Sequence, residues 1–242
     1  MTVLPEGYVK ILDKGYVGLD DWMGDDKKAA RAARVSFAKS ADQYTDAQND
    51  SLVKYLLNKD EYSPFRHSVL TFEIRMPLMV ARQMYKYVVA SNWTEDQLGW
   101  NENSRRYITD NNEFYIPGPD EWRKAPENKK QGSGELFSTE MGQLFTDQAE
   151  SFYSQGDQLY RSMVESFGMA PEQARIFIPA YGLYVSSYWT ASLPSVLHVV
   201  DERIDHGAQK EIQDYAKVIK EFTASKFPKT IEFWDEVRTK RY

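Results

Sequence analysis

The chain has 242 residues, of which 42% are hydrophobic, and its formal net charge is −6 at pH 7. This supplies enough apolar side chains for a substantial core, and we expect residues 1–242 to form a single domain. The acidic balance argues against a binder of polymeric nucleic acid, although a few local arginines suffice for one nucleotide phosphate. The chain has no cysteine, which excludes disulfides and thiol nucleophiles, and with only 3 histidines a metal site is not expected.

Two further classes of protein are disfavoured by what the sequence lacks. No apolar run approaches the roughly 20 residues that span a bilayer, and Met1–Lys10 does not have the pattern of a signal peptide. We therefore expect a cytoplasmic protein without a membrane partner. Because there is no Gly-rich phosphate-binding signature, a conventional dinucleotide-binding fold is not expected either.

Strands and helices are predicted in irregular order along the chain. The first half gives a strand at Val9–Leu12, a helix capped by Asp25 or Asp26, a helix opening at Thr45, a strand from Ser68 to Met76, and a helix from Leu78 to about Ala90. The second half gives a loop at Ser91–Trp100, a brief strand at Glu113–Ile116, a charged connection at Asp120–Gly134, helices at Leu136–Phe167, Pro171, Pro194 and Ala208–Phe222, and a β-rich stretch at Leu183–Thr190. This order predicts an α+β fold, with a mixed or antiparallel sheet packed against helices.

Polar chemistry is concentrated between Gln83 and Tyr107. Arg105 and Arg106 can grip a phosphate through paired hydrogen bonds, and Ser104 adds a neutral donor beside them. The nearby carboxylate of Glu102 is either a salt-bridge partner for these arginines or a group that binds the sugar or base of a ligand.

Ordered motifs over most of the chain, from about Tyr8 to Trp234, resemble those of the flavin-dependent thymidylate synthases. They are Ile11–Gly15, Arg31–Phe37, Ser63–His67, Val80–Gln83, Asn101-Glu102 with Ser104, Arg106 and Tyr107, Glu113–Pro117, Ala174–Ile176, and Arg203, Asp205, Ala208-Gln209 and Glu211-Ile212. The missing cysteine agrees with this resemblance, because classical thymidylate synthases attack the pyrimidine with a cysteine and this family does not.

The resemblance implies an activity and an assembly. The activity is folate-dependent one-carbon transfer to C5 of a deoxypyrimidine monophosphate, above all synthesis of dTMP from dUMP. FAD would be the cofactor, and methylenetetrahydrofolate and NADPH the co-substrates. The subunits would form a homotetramer with active sites at subunit junctions.

The resemblance and the polar segment together assign the site residues. The nucleotide is assigned to Gln83, Lys86, Glu102, Ser104, Arg105, Arg106 and Arg175. Arg203 is assigned a catalytic role, since a cation near the ring carbonyl or N3 stabilises negative charge and makes C5 more nucleophilic. The flavin side is assigned to Ser36, Ser63, Lys86, Tyr87, Val88, Glu102, Ser192 and His198.

The chain departs from the family at its Arg-His-Arg signature, where it has Lys86-Tyr87-Val88. Lysine does not replace arginine at a bidentate site, and valine offers no hydrogen bond. The loop from Ser91 to Asn101 is also longer than is usual in the family. These changes leave two alternatives open beside dTMP synthesis: a dCMP or dUMP 5-hydroxymethylase, and a nucleotide-binding protein without catalysis.

Overall fold

The computed structural model describes residues 4–35, 43–89, 97–103, 112–127 and 132–239, with the backbone alone described at residues 87–89, 97 and 98. One antiparallel sheet contains β1 (Val9–Ile11), β2 (Gly15–Met23), β3 (Val69–Pro77), β4 (Gln97–Glu102) and β5 (Tyr184–Ser192). Its strand order is β1-β2-β3-β5-β4, with β3 paired to β5 from Val69 opposite Ser192 to Pro77 opposite Tyr184.

The helices of the described residues are α1 (Asp26–Val35), α2 (Asp46–Asn58), α3 (Leu78–Val89), α4 (Thr139–Glu165), α5 (Pro171–Ala174), α6 (Leu193–Ile204), α7 (Lys210–Lys226) and α8 (Pro228–Thr239). Short 3-10 helices lie at Ser63–His67, Arg175–Phe177 and Ala180–Gly182. The main core includes buried residues of β3, β5, α1, α2, α3, α6, α7 and α8. The α+β prediction is confirmed.

Strand β3 shows how the sequence builds this core. Successive side chains of a strand point to opposite faces, so one apolar face can be buried while the other remains polar. Leu70, Phe72, Ile74 and Met76 are completely buried. On the other face Glu73 accepts hydrogen bonds from the hydroxyls of two tyrosines of the N-terminal region.

The N-terminal capping residues predicted for two helices have different outcomes. Thr45 caps α2 as predicted, in a capping box with Gln48. The carboxylate of Asp26, expected to cap the helix that follows it, accepts hydrogen bonds at the distant start of α8. The donors are the backbone N–H groups of Lys229 and Thr230, at 3.0 and 2.8 Å. That prediction was therefore wrong for Asp26.

Several segments differ from the sequence predictions. Strand β2 and helix α8 were not predicted, and part of the predicted loop at Ser91–Trp100 belongs to β4. The predicted strand at Glu113–Ile116 makes a single bridge, from Phe114 to Leu183. Among the described helices, none is long and apolar enough to cross a membrane.

Candidate functional site

Helices α3 and α6 meet beside a cleft of about 630 Å³. Arg203, near the end of α6, donates from Nη2 to the backbone carbonyl of Gln83 on α3 at 2.9 Å. Both residues line the cleft, and so does Lys86, which lies about one turn beyond Gln83. The fold therefore brings together three of the predicted site residues.

The amide of Gln83 is held in place by two neighbours. Its Nε2 donates to the backbone carbonyl of Met79 at 3.3 Å and to Oε1 of Gln209, which lies at the start of α7. Gln209 also lines the cleft. This amide pair joins α3 to α7 and fixes polar groups at the wall of the cleft.

The charges of the cleft are mixed. Arg203 is half-buried and Lys86 is exposed, and both cations line the cleft. Glu211 lines another part of the wall and accepts a hydrogen bond from the hydroxyl of buried Tyr115 at 3.4 Å. Burial, followed by the charge of Glu211, raises the pKa of Tyr115, which therefore stays a protonated donor at neutral pH.

A second, smaller cavity of about 130 Å³ lies between α6, α8 and the chain near Ser63. Tyr62, His198, Asp201 and Trp234 contribute to its lining. Burial lowers the pKa of His198; the charge of Glu202 opposes this shift, and the smaller effect of Arg203 adds to it. A neutral imidazole can both donate and accept a hydrogen bond.

The remaining flavin-side residues of the described chain differ in their access to a ligand. Ser63 is exposed at the start of its 3-10 helix. Ser192 is only 2% exposed, and its hydroxyl donates to Oγ of Ser195 at 3.3 Å. Ser63, Lys86 and His198 supply a hydroxyl, an ammonium and an imidazole, groups that can bind a flavin nucleotide. Lys86 lines the large cleft and His198 the smaller cavity, whereas Ser63 is in the lining of neither.

Two predicted nucleotide-binding residues are absent from the lining of the large cleft. Glu102 ends β4, where burial raises the pKa of its carboxyl and the charge of Arg82 partly offsets that shift. Arg175 is exposed and donates from Nε to the backbone carbonyl of Glu172 at 3.1 Å. Ser36, Ser104, Arg105 and Arg106 lie outside the described residues, as do the side chains of Tyr87 and Val88.

The structure also adds residues that the sequence analysis did not place at the site. Trp122, Arg123, Ser133 and Lys210 line the cleft. The first three lie in the segment predicted to be a charged connection. Within so polar a segment, the large apolar side chain of Trp122 was the available signal that the segment packs against the rest of the chain.

Comparisons with known proteins agree with the fold and the motifs. The family model described as thymidylate synthase complementing protein matches residues 19–229. A flavin-dependent thymidylate synthase of Thermosipho africanus is 37% identical over 223 residues, which cover 92% of each chain. One of Thermotoga neapolitana is 35% identical, covering 93% of this chain and 92% of the relative.

A solved structure shares the architecture. It is a UMP/dUMP methylase, PolB of Streptomyces cacaoi, bound with 5-Br dUMP. The TM-score is 0.80 at 25% identity, and the match covers 94% of this chain and 97% of the other.

Proposed function

The chain belongs to the flavin-dependent thymidylate synthase family, and we propose that it transfers a one-carbon unit from a folate to C5 of dUMP, giving dTMP. The observation that carries this proposal is the joint presentation of Gln83, Lys86 and Arg203 in one cleft. The relatives are named as flavin-dependent thymidylate synthases, and the structural neighbour as a UMP/dUMP methylase, which supports uracil as the base.

Arg203 has the chemistry to activate the base. A guanidinium carries five N–H donors, and the hydrogen bond to Gln83 fixes its position at the cleft. When the pyrimidine acts as a nucleophile through C5, negative charge develops on the ring and its carbonyl oxygens. A guanidinium held in advance against that charge lowers the barrier without reorganising during the reaction.

Gln83 and Lys86 have the chemistry to bind and orient. The amide of Gln83, fixed by Met79 and Gln209, is an oriented group for a base or sugar. Lys86 provides a positive charge for a phosphate. When bound, the flavin supplies the hydride that completes the methyl group, and Ser63, Lys86 and His198 are the described residues that would hold it.

Arg175 is proposed to serve a neighbouring subunit. It is exposed and does not line the cleft of its own chain, and the family resemblance implies active sites at subunit junctions. In a homotetramer, Arg175 would contact the nucleotide of another protomer. We also propose that Ser104, Arg105 and Arg106 bind the phosphate, that NADPH is the reductant, and that the protein acts in the cytoplasm.

The hydroxymethylase alternative rests on the sequence Lys86-Tyr87-Val88 in place of the family's Arg-His-Arg. Weaker flavin contacts would let water capture the exocyclic carbon before hydride reaches it, leaving a hydroxymethyl group. The structural neighbour, a methylase, favours the methyl product.

The mass of the nucleotide product tests the proposal. The purified protein is incubated with FAD, NADPH and methylenetetrahydrofolate, in parallel with dUMP and with dCMP. A methyl group on dUMP supports dTMP synthesis, whereas a hydroxymethyl group on either base supports the alternative. If neither product forms while the nucleotide still binds, the protein is a nucleotide-binding protein and the enzymatic proposal is wrong.

A further inference from the structure

The outer wall of the cleft, which we define as Trp122, Arg123 and Ser133, is built on a backbone frame. The N–H of Lys124 donates to the carbonyl of Glu135 at 2.8 Å, and the N–H of Phe137 donates to the carbonyl of Trp122 at 2.9 Å. Arg123 and Leu136 form an antiparallel bridge between the same two segments. These bonds hold Trp122 and Arg123 in a fixed position against the stretch of chain that follows Ser133.

The indole of Trp122 is fixed in this wall. Its N–H donates to Oγ1 of Thr146 on α4 at 3.0 Å, and that hydroxyl donates to the carbonyl of Pro117 at 2.9 Å. The ring also makes an edge contact with Phe145, with 5.7 Å between the ring centroids. Because the N–H is already bonded, Trp122 offers the cleft the apolar surface of its ring, which suits contact with another aromatic group.

Arg123 carries the positive charge of the outer wall. Its half-buried side chain lines the cleft and has no hydrogen bond or ion pair with another residue in the described part of the chain. The neighbouring cation, Lys210, is bonded to Asp214. The nearby carboxylates also have partners, since Glu121 accepts from the N–H of Gly118 at 2.6 Å and Glu211 from Tyr115. Among the described residues, nothing therefore competes with a ligand for the guanidinium of Arg123.

We propose that the outer wall binds the benzoyl-glutamate portion of the folate, with the benzoyl ring on Trp122 and a glutamate carboxylate on Arg123. This rests on the proposed function, because it assigns a place to the folate of that reaction. An aromatic ring linked by an amide to a carboxylate matches an indole surface beside a guanidinium fork.

The lining of the cleft has more cations than carboxylates, which suits an anionic ligand. Four cations, Lys86, Arg123, Arg203 and Lys210, line the cleft together with two carboxylates, Glu121 and Glu211. Of these cations, Arg123 is the one that belongs to the outer wall, and its planar fork matches the two oxygens of a carboxylate.

Steady-state kinetics of Arg123→Gln in the full chain with FAD test the assignment. The expected result is a KM for methylenetetrahydrofolate raised about tenfold, the loss typical of one charge-assisted hydrogen bond. The kcat and the KM values for dUMP and NADPH should stay unchanged. The control is Lys124→Gln, an adjacent cation that pairs with Glu135 at 3.5 Å and does not line the cleft. An unchanged folate KM, or a raised KM for NADPH or dUMP instead, overturns the proposal.

A binding measurement separates this proposal from the proposed function. Calorimetry with p-aminobenzoyl-glutamate at millimolar concentration does not depend on turnover. We expect binding to the wild-type chain, and binding at least about tenfold weaker for the diamide of the same compound and for Arg123→Gln. Equal binding of acid and diamide, or no binding to the wild type, refutes the outer-wall site. Failure to form any modified nucleotide refutes the proposed function alone.

Discussion

Asp201 on α6 is expected to make this protein less stable as the pH rises, which is the opposite of the effect of a carboxylate whose pKa is lowered by folding. Its side chain is 17% exposed, and its carboxylate accepts from the indole N–H of Trp234 at 2.8 Å and from Arg238, both on α8. Burial raises the pKa of Asp201 from 3.8 to about 7, against the opposing effects of Trp234 and Arg238. The same helix carries His198 and Arg203.

The sign follows from proton binding. Between about pH 4 and pH 7 the folded protein keeps a proton on Asp201 that the unfolded chain releases, so the free energy of unfolding falls as the pH rises. One pKa unit corresponds to about 1.4 kcal/mol, which makes the change from pH 5 to pH 7 about 2 kcal/mol. Asp201→Asn removes this titration and keeps a carbonyl acceptor for Trp234.

Urea unfolding of the wild type and Asp201→Asn at pH 5, 6 and 7 measures the effect. The variant should gain about 2 kcal/mol relative to the wild type between pH 5 and pH 7. The matched control is Asp235→Asn, because Asp235 pairs with Lys220 and its side chain is 48% exposed. Parallel pH profiles for the wild type and Asp201→Asn would refute the reasoning.

Three further substitutions test the site and the fold. Arg203→Gln should lower kcat at least about 100-fold, because it removes the cation that stabilises the ring; normal turnover in the product assay would contradict this role. Lys86→Ala should weaken FAD binding about tenfold, measured by flavin fluorescence, since it removes a charge-assisted contact, and unchanged affinity would exclude Lys86 from the flavin site. Asp26→Ala should lower the free energy of unfolding in urea by about 1–2 kcal/mol, because the N–H groups at the start of α8, including that of Thr230, lose their acceptor. Asp25→Ala is the control for loss of a surface carboxylate, since Asp25 is 54% exposed and pairs only with Arg31 among the described salt bridges, at 2.6 Å. Equal losses in both variants would show that the cap of α8 is unimportant.

The sequence by itself determined the elements whose signal is local. The alternation in β3 and the capping box at Thr45 each depend on residues within one element, and both are present in the structure. The motifs also identified the family. They assigned Gln83 and Arg203 to the site, the position of the missing Arg-His-Arg signature added Lys86, and the structure brings these three to one cleft.

Only the tertiary structure decided which distant residues meet. Arg203 and Gln83 are 120 residues apart, and the hydrogen bond between them depends on how α3 and α6 pack. The carboxylate of Asp26 accepts a hydrogen bond at the start of α8, more than 200 residues away, and local capping patterns do not predict this pairing. Trp122 and Arg123 face the cleft because a backbone frame and Thr146 hold them there. Local periodicity predicts secondary structure, whereas the partners of an exposed polar side chain are set by the packing of the whole chain.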